Sequence, residues 1–161
     1  MKVYLGGYIY RGKDGETLKK CFAWRKQIID FYADYKGARY PIDFLCPLNS
    51  NEADSIDEKG LHSNLSHNMI VAKDRLAVEN ADIIITNLNT FGETRPPIGT
   101  ISELVWASEF RKPVIVITDE DQYAEHPFIK TFASVIVPNV EKMLEEKTLN
   151  IFYKSINSAQ Y

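Results

Sequence analysis

Residues 81–117 read ADIIITNLNTFGETRPPIGTISELVWASEFRKPVIVI, and this stretch decides the fold. Asp82 to Thr86 is a short β-branched run that fits a buried strand. Residues 87–99 are crowded with Asn, Gly, Thr and Pro and read as a loop. Thr100 to Arg111 has helical periodicity, and Val114 to Ile117 is apolar at every position, as in a strand covered on both faces. Strand, loop, helix and strand in this order make a crossover unit whose two strands run parallel.

The same alternation continues outward on both sides. Val3-Tyr4-Leu5 reads as a first strand, stopped by Gly6-Gly7. From Glu16 to Tyr35, residues Leu18, Phe22, Arg25, Ile29 and Tyr32 fall at steps of four and three, one face of a helix. Ile42 to Cys46 is a second strand closed by Pro47. Residues 48–63 are polar with little periodicity and read as a long surface excursion. Asn64 to Asn80 forms a helix. Downstream of Ile117 comes another polar loop, then a fifth strand at Ser134 to Val137. Asn139 caps a last helix expected to run to about Ile156. Strands alternating with helices imply an α/β fold with a five-stranded parallel sheet covered on both sides. The expected architecture is a flavodoxin-like or Rossmann-like three-layer sandwich in a single domain over residues 1–161. Ligands of such folds sit at the carboxyl ends of the strands. The loops Gly6 to Gly12, the segment after Cys46, and Asn87 to Thr100 are therefore the candidate site.

Composition narrows the function classes. The net charge is −3 and no basic excess points to a nucleic-acid polymer. Two cysteines, Cys21 and Cys46, are too few for a disulfide framework and read as reduced thiols in a cytoplasmic protein. The amino-terminal segment turns polar too soon for a signal peptide, and no apolar run reaches the roughly 18 residues of a membrane helix. His62, His67 and His126 have no matching metal-ligand partners, so neither a metal nor a cofactor is expected. P-loop, G-x-G-x-x-G and G-x-S-x-G motifs are absent from the sequence.

Two carboxylates interrupt apolar helix faces. Glu103 has Trp106, Ala107 and Phe110 at i+3, i+4 and i+7, which sets it on the sheet-facing stripe of its helix. The structural alternative is that Thr100-x-x-Glu103 is a capping box, with Gly99-Thr100 as turn and N-cap. Asp74 shares a face with Ile70, Ala77 and Ala81, where a carboxylate must pair, face a cleft or shift its pKa upward. A salt bridge to Lys73 or Arg75 is its structural alternative, although both neighbours point elsewhere on the helix. Two carboxylates converging on one cleft suit glycosyl transfer, whose oxocarbenium-like transition state is stabilised by negative charge.

The ordered set carries a resemblance. It comprises residues 3–7 (VYLGG), Trp24-Arg25, Ile70-x-x-x-Asp74, residues 80–88 (NADIIITNL), residues 99–107 (GTISELVWA) and Lys112-Pro113-Val114. It resembles the nucleoside 2-deoxyribosyltransferase family and its relatives, the deoxynucleotide and cytidylate N-glycosidases, over roughly residues 2–120. That resemblance implies a double displacement in which Glu103 is the nucleophile, Asp74 assists the base or leaving group, and Tyr4 positions Glu103. It also implies a small-molecule nucleoside or nucleotide substrate and a nucleobase acceptor, with no cofactor. Gly6, Gly7, Tyr8, Arg11, Gly12, Asn87, Asn89, Gly99, Thr100 and Ser102 would contact the substrate, Arg11 by forking onto phosphate oxygens.

Transferases of the family often carry an aspartate six residues before the nucleophile, where this chain has Pro97. Glu93, Arg95 and Asn89 are the alternatives in the same loop. Family sites are built between subunits, so a homo-oligomer, a dimer or larger, with shared active sites is implied. The terminal Tyr161 would reach a neighbour's site, and Phe152 and Tyr153 are consistent with an interface. Three readings follow: deoxyribosyl transfer between bases, hydrolysis of a (deoxy)nucleoside 5′-monophosphate, and a non-catalytic nucleotide-binding module.

Overall fold

The computed structural model describes residues 1–10, 14–33, 35, 41–47, 54–57, 60–63 and 65–152. Strand β1 (Lys2–Gly7) leads into helix α1 (Gly15–Ala33) and the short strand β2 (Asp43–Leu45). Strands β3 (Asp54–Asp57) and β4 (Gly60–Ser63) follow, then α2 (His67–Asn80), β5 (Ile83–Asn87), α3 (Ile98–Glu109) and β6 (Val114–Ile117). Short helices α4 (Asp121–Ala124) and α5 (Pro127–Phe132), strand β7 (Val135–Val137) and helix α6 (Val140–Glu145) complete the order.

The main sheet has five parallel strands in the order β2-β1-β5-β6-β7. Counting only those strands, the order is second, first, third, fourth, fifth, which is the flavodoxin arrangement rather than the Rossmann one. The chain reverses direction across the sheet between β1 and β5, so a crevice opens where those two strands end. Val3 pairs with Ile83, Gly6 with Thr86 and Gly7 with Asn87.

Successive strand residues face opposite layers. Val3, Leu5, Ile83, Ile85, Ile115 and Ile117 pack with Trp24, Ile28 and Tyr32 of α1 and with Val140 and Met143 of α6. Tyr4, Ile84, Val114 and Val116 face the other way and pack with Val78 of α2, Leu104 and Ala107 of α3, and Ile129 of α5. This is the expected three-layer sandwich.

Several sequence expectations are corrected. The buried stripe of α1 is Thr17, Cys21, Trp24, Arg25, Ile28 and Tyr32, so Leu18, Phe22 and Ile29 lie half-buried at its edge. The stretch 48–63 contains the antiparallel pair β3–β4, with Asp54 opposite Ser63. The polar segment after Ile117 holds α4 and α5. Helix α3 begins at Ile98 with Pro97 in the N-cap position, which puts Gly99 and Thr100 inside its first turn. Asn139 does cap α6 by accepting from the Lys142 N–H at 2.8 Å. That helix stops at Glu145, however; Lys147 takes a positive φ of 52°, and helical backbone resumes at 149–152. Tyr153 and Ile156 lie outside the described residues. Among the described residues, no helix is long and apolar enough to cross a membrane.

Candidate active site

Tyr4 lies in the middle of β1, and its ring points into the layer that α3 covers. Glu103 lies in the second turn of α3 on the face that meets the sheet, and only 7% of it is exposed. The phenol donates to Glu103 Oε1 at 2.7 Å, a bond buried between the two layers. The capping-box alternative for Glu103 is thereby set aside: its carboxylate points at the sheet, and Thr100 is a residue of the helix rather than its cap. Oε2 of Glu103 is buried and has no hydrogen-bond partner among the described residues.

Burial away from water dominates the electrostatics of this carboxyl and pushes its pKa up to about 8. The Tyr4 hydrogen bond pulls it down, Asp74 pushes it further up, and the charges of Arg25 and Lys73 pull it down. Tyr4 is held well above the usual phenol range, chiefly by burial and then by the neighbouring carboxylates, so it stays a donor.

The two glycines after Leu5 leave room on both faces of the strand. A Cβ on Gly6 would run into Glu103 Oε2 and come within 3.1 Å of the Tyr4 ring. On Gly7 it would meet the Trp24 ring at 2.7 Å and Arg25 Nη2 at 3.2 Å. Only glycine fits at either position without displacing a neighbour.

A cleft of about 330 Å³ opens beside Glu103. Gly7, Tyr8 and Ile9 line one side, Ile70 and Asp74 of α2 another, and residues 95–100 the third. Asp74 therefore shares the cleft with Glu103. Lys73 Nζ comes within 3.6 Å of Asp74 Oδ1 while donating to the Pro47 carbonyl at 2.7 Å, so this neighbour does reach it, contrary to the sequence expectation. Arg75 turns away toward Glu109.

Of the other expected contacts, Gly7, Tyr8, Gly99 and Thr100 line the cleft, and Gly6 abuts Glu103 from behind. Asn87, Asn89 and Ser102 do not line it. Asn87 Oδ1 accepts from the Asn89 N–H, and Asn89 Oδ1 accepts from the Asp119 N–H, each at 3.0 Å. Asn89 borders an open depression of about 960 Å³ with Glu93, Asp119 and Glu120. The Ser102 hydroxyl donates back to the Ile98 carbonyl. Arg11, Gly12 and Tyr161 lie outside the described residues. Two arginines gain a place that spacing alone did not assign. Arg95 lines the cleft, donates to the Ile9 carbonyl at 3.0 Å and covers the Tyr8 ring. Arg25 is buried behind Gly7. Among the described residues, no group of three or more His, Cys, Asp and Glu side chains is placed to hold a metal ion.

At the level of sequence, no protein-family model and no curated protein matches the chain. At the level of structure, it is similar to the CMP N-glycosidase BcmB of Clostridium botulinum, with a TM-score of 0.57 and 16% identity. That match covers 92% of this chain and 99% of the other. The fold is shared with an N-glycosidase. A 2-deoxyribosyltransferase from Leishmania mexicana is also similar, at a TM-score of 0.49 and 21% identity, covering 76% of this chain and 71% of that one. The N-glycosidase matches nearly from end to end, so the likeness spans both helical layers and the whole sheet.

Proposed function

We propose that the chain cleaves the N-glycosidic bond of a nucleoside or nucleotide, with Glu103 as the nucleophile that takes up the sugar. The observation that carries this reading is a buried carboxyl that borders a cleft, is held by one phenol donor and keeps its second oxygen free. Oε2 attacks C1′ as the bond to the base breaks, and the bond's electron pair leaves with the base. Asp74, in the same cleft, hydrogen-bonds the base and assists its protonation. Tyr4 keeps the carboxyl aimed while the transition state develops positive charge on the sugar. Because Glu103 must be ionised to attack, its raised pKa makes ionisation part of the reaction's pH dependence.

In the first reading the glycosyl-enzyme passes a 2-deoxyribosyl group to a second nucleobase, with net retention, as in nucleoside 2-deoxyribosyltransferases. A second reading, hydrolysis of a (deoxy)nucleoside 5′-monophosphate, is supported by Arg95, a guanidinium at the cleft that suits a phosphate. Incubation with deoxynucleosides and with monophosphates, each with and without an added base, distinguishes them by chromatography. A new nucleoside formed only when base is added supports transfer. Free base released only from monophosphates supports hydrolysis, and no cleavage of any substrate overturns both. Shared sites in a homo-oligomer remain part of this reading, tested by mass in solution and by mixing inactive variants.

A further inference from the structure

Arg25 and Glu103 are the two charged side chains buried most deeply among the described residues, at 3% and 7% exposure. They carry opposite charge and lie in opposite layers, Arg25 on the α1 side and Glu103 on the α3 side. Between them runs the end of β1. A Cβ on Gly6 would strike Glu103, and one on Gly7 would crowd Trp24 and Arg25, so the two groups press on neighbouring glycines of one strand from its two faces.

Each of the three guanidinium nitrogens donates to an uncharged acceptor. Nε donates to the Leu5 carbonyl at 3.2 Å, Nη2 to the Gly7 carbonyl at 3.1 Å, and Nη1 to the Cys21 carbonyl. Two of these acceptors flank Gly6. The Trp24 ring lies 4.5 Å from the guanidinium carbon and covers it. Carbonyls satisfy the donors but leave the net charge uncompensated, and no carboxylate among the described residues pairs with Arg25 directly. A buried charge without a counter-ion is costly, and interaction across a medium that excludes water is screened little.

We propose that Arg25 is a positioning residue for Glu103: from behind the sheet it clamps the Gly6–Gly7 backbone and supplies the positive charge that keeps the buried carboxylate available as an anion. The groups that act electrostatically on Glu103 are Tyr4 from β1, Asp74 and Lys73 from α2, and Arg25 from α1. Those acting on Arg25 are Cys46, Glu103, Tyr4 and Cys21. Asp74 opposes ionisation of Glu103, and Arg25 favours it. Without Arg25, the balance tips toward the neutral acid. A role limited to bracing β1 would lower stability and leave the titration of Glu103 where it is.

The proposal rests on the reading of Glu103 as nucleophile only for its effect on rate, so its test follows the carboxyl itself. The protein is labelled with ¹³C at glutamate carboxyls, and Glu103 is assigned by comparison with E103Q. Its titration is then followed by NMR in the wild type, R25K and R25M, with the fold of each checked by circular dichroism. We expect R25M to move the titration alkaline by about one unit or more and R25K to restore most of that shift. Cleavage at pH 7 falls about tenfold in R25M, through kcat rather than KM, as the ionised fraction drops. An unmoved titration in folded R25M overturns the proposal. If R25M fails to fold, R25Q, which still donates to a β1 carbonyl without charge, carries the same comparison. A shifted titration in a wild-type protein that cleaves no nucleoside overturns the proposed reaction and leaves the Arg25–Glu103 coupling standing.

Discussion

The phenol of Tyr4 donates to Glu103 Oε1 at 2.7 Å, joining the first strand of the sheet to a helix 99 residues further along. That bond fixes one carboxylate oxygen and leaves the other, buried beside Gly6, without a hydrogen-bond partner among the described residues, while Glu103 and Asp74 line one cleft.

Replacing Glu103 with Gln keeps the size and the Tyr4 contact but removes the negative charge. Turnover is expected to fall on the order of 10³-fold or more with the fold intact. Product release followed by chromatography, beside a thermal melt, checks this. Full activity in E103Q would remove the nucleophile from the account.

Tyr4 and Asp74 influence the Glu103 carboxyl in opposite directions, so their variants move the acid limb of kcat/KM in opposite directions. Y4F removes the donor that holds the pKa down and shifts the limb alkaline. D74N removes a negative neighbour and shifts it acid, while the loss of leaving-group assistance lowers the rate by about 10²–10⁴-fold. Rates from pH 5 to 10 separate the two effects.

Stability carries its own signature of the buried carboxyl. Glu103 is raised from 4.5 to about 8 in the folded protein, so the folded chain binds a proton there that the unfolded chain has released. Stability therefore falls as pH rises from about 4.5 through about 8. E103Q should lack this component, giving a melting temperature less sensitive to pH over that window. Parallel pH dependence in the two proteins would count against the raised pKa.

Gly6 is the tightest point behind the site. G6A drives a methyl into Glu103 Oε2 and the Tyr4 ring. It is expected to cost about 1–3 kcal/mol of stability and to lower kcat more than it raises KM. Denaturant unfolding and steady-state kinetics test the two parts separately.

The proposed phosphate contact of Arg95 is tested by comparing the two classes of substrate. R95M should raise KM for 5′-monophosphates about tenfold or more and leave that for unphosphorylated nucleosides nearly unchanged. Equal effects on both would assign Arg95 to bracing Tyr8 and the Ile9 carbonyl, which it also touches.

The parts of the fold that are legible in the sequence are those written in local periodicity. Residues 83–86 and 114–117 announce buried strands, and all of them are buried. The start of α3 is harder to read, because Pro96, Pro97 and Gly99 look like loop residues and Thr100 looks like a cap. The backbone nevertheless turns helical at Ile98. The inner face of α1 is hard to read from periodicity because its stripe includes the small residues Thr17 and Cys21, which weaken the apolar signal. Strands β3 and β4 have no clean alternation, and the break after Glu145 has no glycine or proline to mark it. Glu103 and Asp74 stood out as carboxylates on apolar faces. Their meeting in one cleft, the Tyr4 bond and the place of Arg25 depend on contacts between distant segments, which spacing does not encode.

The most direct test of the central claim is the intact mass of the protein after brief incubation with a 2′-fluorinated arabinosyl nucleoside, quenched in acid. Fluorine at C2′ destabilises positive charge on the sugar and slows breakdown of a glycosyl-enzyme. The account predicts a mass increase of one fluorinated glycosyl group, located by peptide mapping to the segment containing Glu103 and absent from E103Q. Turnover of that nucleoside without any covalent adduct, or with the adduct on another residue, would contradict it.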